Sequence, residues 1–171
     1  IKNLLATITI ISIFKDIYKL DKDIFCDHTT TVGRGDIVKV KLFKKNLYLV
    51  DESYNSNPLS LKSALKNFDM IKVDNSKKHL VLGDMLELGK YSKKLHMEVG
   101  KSINKTSLKN INVIGKDIKW VFSNLNQDKR GLFIKKKSQI IDLIKNNLNN
   151  NDYLMIKGSN STGLNTLVNQ I

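Results

Sequence analysis

One cysteine and one proline in 171 residues leave this chain few ways to staple or break itself. With Cys26 alone there is no disulfide framework, which suits a reducing compartment. With Pro58 alone there is no proline-rich linker. Residues 4–14 are strongly apolar, but Lys15 and Asp16 end the run before it could span a bilayer. The run also lacks the basic start and small-residue cleavage site of a signal peptide. No Gly-x-x-x-x-Gly-Lys-Ser/Thr occurs, and no Gly-x-Gly-x-x-Gly follows a strand, so neither common type of complete nucleotide site is present. Zinc-ligand spacing and RNA-binding aromatic motifs are missing too, and no metal site is expected. His28 lies close to Cys26, but a catalytic pair needs an orienting group and an oxyanion site, and neither is visible.

Charge is the composition's one excess, a net +13. A basic balance invites a nucleic-acid partner. Apart from Lys135-Lys136-Lys137, however, the lysines are scattered among Asn and Ile. A general Lys/Asn/Ile bias explains the charge more simply, so no nucleic-acid partner is expected. A lesser role is attraction of anionic substrates. The chain begins at Ile1, and its apolar start reads as the last core helix of a preceding domain. A fragment is therefore expected.

Apolar spacing predicts a helix over 3–18, then an irregular, polar hinge over 21–33 that ends in Gly33-Arg34-Gly35. Alternation over 37–43 and a run over 47–50 predict a hairpin that turns at Lys44-Lys45-Asn46. Strand, loop and helix then repeat. The later strands are expected at 80–82, 111–115, 132–134 and 153–156. The helices carry Leu61, Ala64, Leu65 and Phe68, then Leu95, Val99 and Ile103, then Ile118, Val121, Phe122 and Leu125. Two more carry Ile141, Ile144 and Leu148, and Leu164, Leu167, Val168 and Ile171. Such a series predicts an α/β fold: a mainly parallel sheet with helices on both faces and right-handed crossovers, preceded by an antiparallel hairpin strand.

Three polar loops follow strand ends and should share one sheet edge, where open α/β sheets bind ligands. Asp51-Glu52-Ser53-Tyr54-Asn55-Ser56-Asn57-Pro58 is the richest. Asn57 can cap the next helix and Pro58 fits its first position. In Gly83-Asp84-Met85-Leu86-Glu87-Leu88-Gly89, Asp84 and Glu87 could bind a cation or a substrate amine, or cap the loop and its helix. In Lys157-Gly158-Ser159, backbone N–H groups could meet an anion, with Lys157 adding charge; a plain turn has the same look. His96 reads as packed or solvated, and Trp120 as core or packing surface.

In order and spacing, Asp-Glu-Ser-Tyr-Asn-Ser-Asn-Pro, Gly-Asp-Met-Leu-Glu-Leu-Gly, His96 with Val99-Gly100, and Lys-Gly-Ser resemble the C-terminal part of a Mur ligase. They look most like the branch that joins D-alanyl-D-alanine to UDP-MurNAc-tripeptide. The resemblance implies an ATP-dependent peptide ligase of peptidoglycan synthesis in the bacterial cytoplasm, acting through an acyl phosphate and expected to be a monomer. It implies residues 1–34 as the end of a central ATP-binding domain plus hinge, and 35–171 as a Rossmann-like C-terminal domain. Mg2+ and the phosphate loop would belong to the central domain, so no catalytic residue is expected here and the chain alone should not turn over ATP.

By the same resemblance Asn3 contacts adenine, Arg34 the ATP phosphates, and Asp51 or Glu52 the ribose hydroxyls. Tyr54, Asn55 and Asn57 line the peptide cleft, with Asp84, Glu87, Lys157, Gly158 and Ser159 nearby. The chain departs from the family at Glu52, commonly Asp, at Ser56, usually alanine, and at Asn160, usually arginine. Another Mur-type ligase, of muramyl peptide or folylpolyglutamate type, and a non-catalytic basic Rossmann-like binding module are the alternatives.

Overall fold

The computed structural model describes residues 2–21, 23 and 33–171. Cys26, His28 and most of the expected hinge lie outside the described residues. The chain divides into two compact units, Ile1–Thr30 and Thr31–Ile171. The first holds helix α1 (Lys2–Phe14) and a 3-10 turn at Ile17–Lys19, so the expected helix over 3–18 stops short. Asp16 makes that turn by accepting the Tyr18 N–H. Among the described residues no helix is long and apolar enough to cross a membrane.

The second unit is a six-stranded sheet: β1 (Asp36–Leu42), β2 (Lys45–Glu52), β3 (Lys78–Gly83), β4 (Ile111–Ile114), β5 (Arg130–Ile134) and β6 (Tyr153–Lys157). Their order is β1-β2-β6-β3-β4-β5. β1 pairs antiparallel with β2, and every other pairing is parallel. The hairpin turn is Phe43-Lys44, one residue earlier than expected. Both residues have positive φ (49° and 63°), as a type I′ two-residue turn requires, and Lys45 and Asn46 already belong to β2.

The helices are α2 (Pro58–Asp69), α3 (Ser92–Asn104), α4 (Lys119–Ser123), α5 (Ser138–Asn147) and α6 (Leu164–Val168). Side chains alternate along a strand, so one sheet feeds two cores. Val50, Leu80, Leu82 and Met155 pack with Leu61, Leu65 and Phe68 of α2, Val99 and Ile103 of α3, and Val121 of α4. Leu49, Val81, Leu154 and Ile156 pack with Ile140, Leu143 and Ile144 of α5 and Leu164 and Leu167 of α6. Helices therefore cover both faces, which explains why β3 is buried at all its positions. Each fully buried Leu, Ile or Phe contributes about 1.5–3 kcal/mol.

Some inward positions differ from the simple stripe. α3 buries His96, Val99, Gly100 and Ile103, while Leu95 is only half-buried. α5 buries Ile140, Leu143 and Ile144, one step around from Ile141.

Candidate functional site

The helices of both faces begin where parallel strands end, so the loops after β2, β3 and β6 meet at one edge. In the first loop Asn57 caps α2: its Oδ1 accepts the Ser60 N–H at 2.8 Å, and Ser60 Oγ accepts the Asn57 N–H at 3.1 Å. Pro58 takes the first helical position, as expected. The backbone before the cap turns sharply because Asp51 Oδ1 accepts both the N–H and the hydroxyl of Ser53, at 2.9 and 2.6 Å.

The segment Gly33–Gly35 packs against this loop. Gly35 N–H donates to Asp51 O at 2.7 Å and Tyr54 N–H to Gly33 O at 3.2 Å. The glycines are required: their φ values are +84° and +95°, and a Cβ would stand 2.9 Å from Tyr54 N at Gly33 and 2.9 Å from Glu52 Oε1 at Gly35. Between them Arg34 lays its guanidinium 4.7 Å over the Tyr54 ring. Arg34, Glu52, Tyr54, Asn55, Asn57 and Lys157 line a cavity of about 340 Å³. Of the two candidate carboxylates, Glu52 faces this cavity and Asp51 is buried against Ser53.

The second loop is organised around Asp84. Its carboxylate accepts the N–H groups of Lys116, Asp117 and Ile118 at 2.9, 2.9 and 2.6 Å, capping the turn before α4. Both oxygens are thereby committed to the backbone of a distant loop rather than to Asp84's own loop or the helix after it. Glu87 is exposed and holds a positive φ of 63°. His96 is fully buried beneath the loop: Met85 N–H donates to Nε2 at 3.2 Å, and Nδ1 lies 2.8 Å from Ser92 O. Ser92 Oγ in turn donates to Asp117 at 2.7 Å.

The third loop ties the other two together. Ser159 N–H donates to Asp84 O at 3.0 Å. Ser159 Oγ accepts the Leu86 N–H at 2.9 Å and donates to Ser56 O at 3.2 Å. Lys157, only 2 % exposed, sends its ammonium to Asn55 O at 2.9 Å and to Glu52 Oε2 at 3.2 Å. Gly158 and Gly83 face each other, each within 2.8 Å of Leu164 Cδ1 had it a Cβ, so neither position has room for a side chain. Of the expected site residues, Arg34, Glu52, Tyr54, Asn55, Asn57 and Lys157 thus surround one cavity. Ser159 ties the loop at Ser56 O, Asp84 lines a separate cavity with Leu86 and Gly115, and Glu87 lines neither. Asn3 lies in α1, with its side chain outside the described residues.

Sequence reasoning missed that Ser60 and Ser63 line the cavity. Ser60 follows Asn57 by three residues and Ser63 follows Ser60 by three, each step joining neighbours on the helix surface, which was the available signal. Among the described residues no group of three or more His, Cys, Asp or Glu is placed to hold a metal ion.

The family model described as "Mur ligase, glutamate ligase domain" matches residues 33–160. The UDP-N-acetylmuramoyl-tripeptide–D-alanyl-D-alanine ligase of Rickettsia prowazekii is 27% identical over 97% of this chain and 36% of its own length. That of Buchnera aphidicola subsp. Acyrthosiphon pisum is 31% identical over 76% of this chain and 28% of its own. The chain thus spans about a third of the curated relatives it matches. The MurF ligase of Thermotoga maritima, solved with ADP, superposes with a TM-score of 0.73 over 98% of this chain and 36% of its own, at 19% identity, which speaks for the fold. The sheet, the braced loops and the sequence match agree: this chain belongs to the Mur ligase family, whose glutamate ligase domain it carries over residues 33–160.

Proposed function

We propose that this chain is the C-terminal part of an ATP-dependent ligase that joins UDP-MurNAc-tripeptide to D-alanyl-D-alanine in the bacterial cytoplasm, working as a monomer. Residues 1–34 would close a central ATP-binding domain and hinge, and 35–171 would form the Rossmann-like domain. The observation that carries the reading is the cavity at the end of β2, where Arg34, Glu52, Tyr54, Asn55 and Asn57 converge. A curated relative that bears the substrates in its name matches over 97% of this chain, and so across it.

The chemistry suits those groups. ATP would phosphorylate the tripeptide carboxylate, and the dipeptide amine would displace phosphate from the acyl phosphate. Arg34, its guanidinium over the Tyr54 ring, would present a fork that matches phosphate oxygens. Of Asp51 and Glu52, Glu52 lines the cavity and would be the one to accept ribose hydroxyls. Tyr54, Asn55 and Asn57 would line the peptide cleft, with Gly158 and Ser159 behind it. Glu87, exposed and outside the cavity lining, would be free to meet a substrate amine, and Asn3 for adenine rests on the resemblance alone. Mg2+ takes several oxygen ligands with near-octahedral geometry. The cavity's carboxylate is already paired with Lys157, a donor set that does not fit, so no metal step is placed on these residues. A closed domain would keep water from the acyl phosphate.

The test uses the full-length protein. ADP and phosphate should form in step with the pentapeptide product only when ATP, UDP-MurNAc-tripeptide and D-alanyl-D-alanine are all present. ADP formation with a single amino acid instead of the dipeptide would assign the chain to another Mur-type ligase. Arg34→Lys should lower kcat/KM for ATP at least about tenfold with an unchanged thermal midpoint, because a point charge lacks the two-pronged geometry. Wild-type kinetics would leave Arg34 as a linker residue.

A further inference from the structure

We propose that Lys157 is a positioning residue: its buried ammonium sets the Glu52 carboxylate and the loop backbone at Asn55, and so the shape of the cavity, and it is not itself the charge that meets the ligand. What the cavity binds rests on the functional reading above.

A lysine is almost never this buried unless paired. An ammonium has three donors, and this one has three protein acceptors: Glu52 O at 3.4 Å, Glu52 Oε2 at 3.2 Å and Asn55 O at 2.9 Å. They lie on both sides of the turn after β2, so one charge clamps the loop closed. Lys157 ends β6, the strand between β2 and β3, and pairs in register with Glu52 on one side and Leu82 on the other. That central place in the sheet explains its 2 % exposure.

The clamp also orients Glu52. Oε2 is committed to the lysine, while Oε1 lies where a Cβ on Gly35 would stand 2.9 Å away. The carboxylate is therefore held between Lys157 and the segment that carries Arg34. A lysine serving phosphate directly would have to abandon these bonds and leave Glu52 partly buried without its counter-charge, which is costly. Arg34, on the rim and stacked on Tyr54, is the cation left to meet a ligand.

The test compares Lys157→Met, Glu52→Gln and the double variant in the full-length ligase. Lys157→Met should lower kcat/KM for ATP at least tenfold, with most of the change in KM. The double variant should fall no further than the worse single, because the lysine acts through Glu52. Losses that multiply would mean that Lys157 acts other than through Glu52, and would overturn the proposal. Hydrogen exchange on the ligand-free protein gives a readout independent of activity. Amides of residues 53–57 should exchange faster in Lys157→Met while β3 stays protected; unchanged exchange would overturn the clamp. If β3 also loses protection, Glu52→Gln is read in its place, with the same expectation for residues 53–57 and the same overturning result. A wild-type enzyme that ligates nothing removes the functional reading and leaves the exchange experiment as the test of the clamp.

Discussion

Ser56 carries a hydroxyl that is buried and has no hydrogen-bond partner among the described residues. Its carbonyl is used, accepting the Ser159 hydroxyl, but its Oγ is not. A buried unsatisfied polar group costs about 1–3 kcal/mol. Ser56→Ala should therefore raise stability by about 1 kcal/mol, seen as a higher urea midpoint with an unchanged m-value; a lower midpoint would show that the hydroxyl has a partner. The family resemblance marked this position as one where alanine is usual, but only the fold explains why a small apolar side chain fits. Lys157 shows the limit in the other direction. A lysine after Leu154-Met155-Ile156 reads as the polar end of a strand, and nothing local says that its ammonium turns inward to a residue 105 positions earlier. Asp84 is similar: its acceptor role was legible, but its donors on residues 116–118 were not.

Elements were legible wherever apolar spacing ran against clear punctuation. α2 has both: an apolar face of Leu61, Ala64, Leu65 and Phe68, and a start written as Asn57-Pro58. Shorter elements blurred. α4 and α6 each hold only Lys119–Ser123 and Leu164–Val168, because flanking turns supply part of the stripe the spacing assigned to a helix. The hairpin turn was misplaced because Phe43 is a poor candidate for positive φ by sequence alone. Strand order was not legible, since insertion of β6 between β2 and β3 is set by long-range packing. For α2, Asn57→Ala should lower stability by about 1 kcal/mol through the lost cap. Asn57→Ser separates the two jobs of this residue, because serine restores the cap but not the amide facing the cavity. Denaturation of Asn57→Ser should match wild type while ligation by the full-length enzyme stays depressed. Ligation that recovers with the cap would make Asn57 a capping residue only.

Across the whole molecule the two sheet edges divide the work. The polar loops after β2, β3 and β6 gather at one edge, and helix C-termini with their last carbonyls gather at the other. Part of the +13 charge is spent there. Lys78 donates to Asp69 O at the end of α2, Lys129 to Thr106 O and Leu108 O beyond α3, and Lys45 to Lys145 O and Leu148 O at the end of α5. These three lysines serve the fold. The same edge carries a buried histidine–carboxylate pair. His79, 7 % exposed, has Nε2 3.2 Å from Asp152 Oδ2, which also accepts the Asn149 N–H at 2.7 Å. Burial lowers the His79 pKa below its ordinary value, and the Asp152 charge opposes that shift without cancelling it. On acidification through about pH 6.5 the unfolded chain therefore takes up this proton before the folded one does. The unfolded state then binds more protons, so stability falls as pH drops below about 6.5 and levels off once the folded histidine is protonated too. Denaturation midpoints of wild type and His79→Gln between pH 8 and pH 5 should diverge only on the acid side, with wild type losing more. Parallel curves would mean that His79 keeps its ordinary affinity for protons inside the fold.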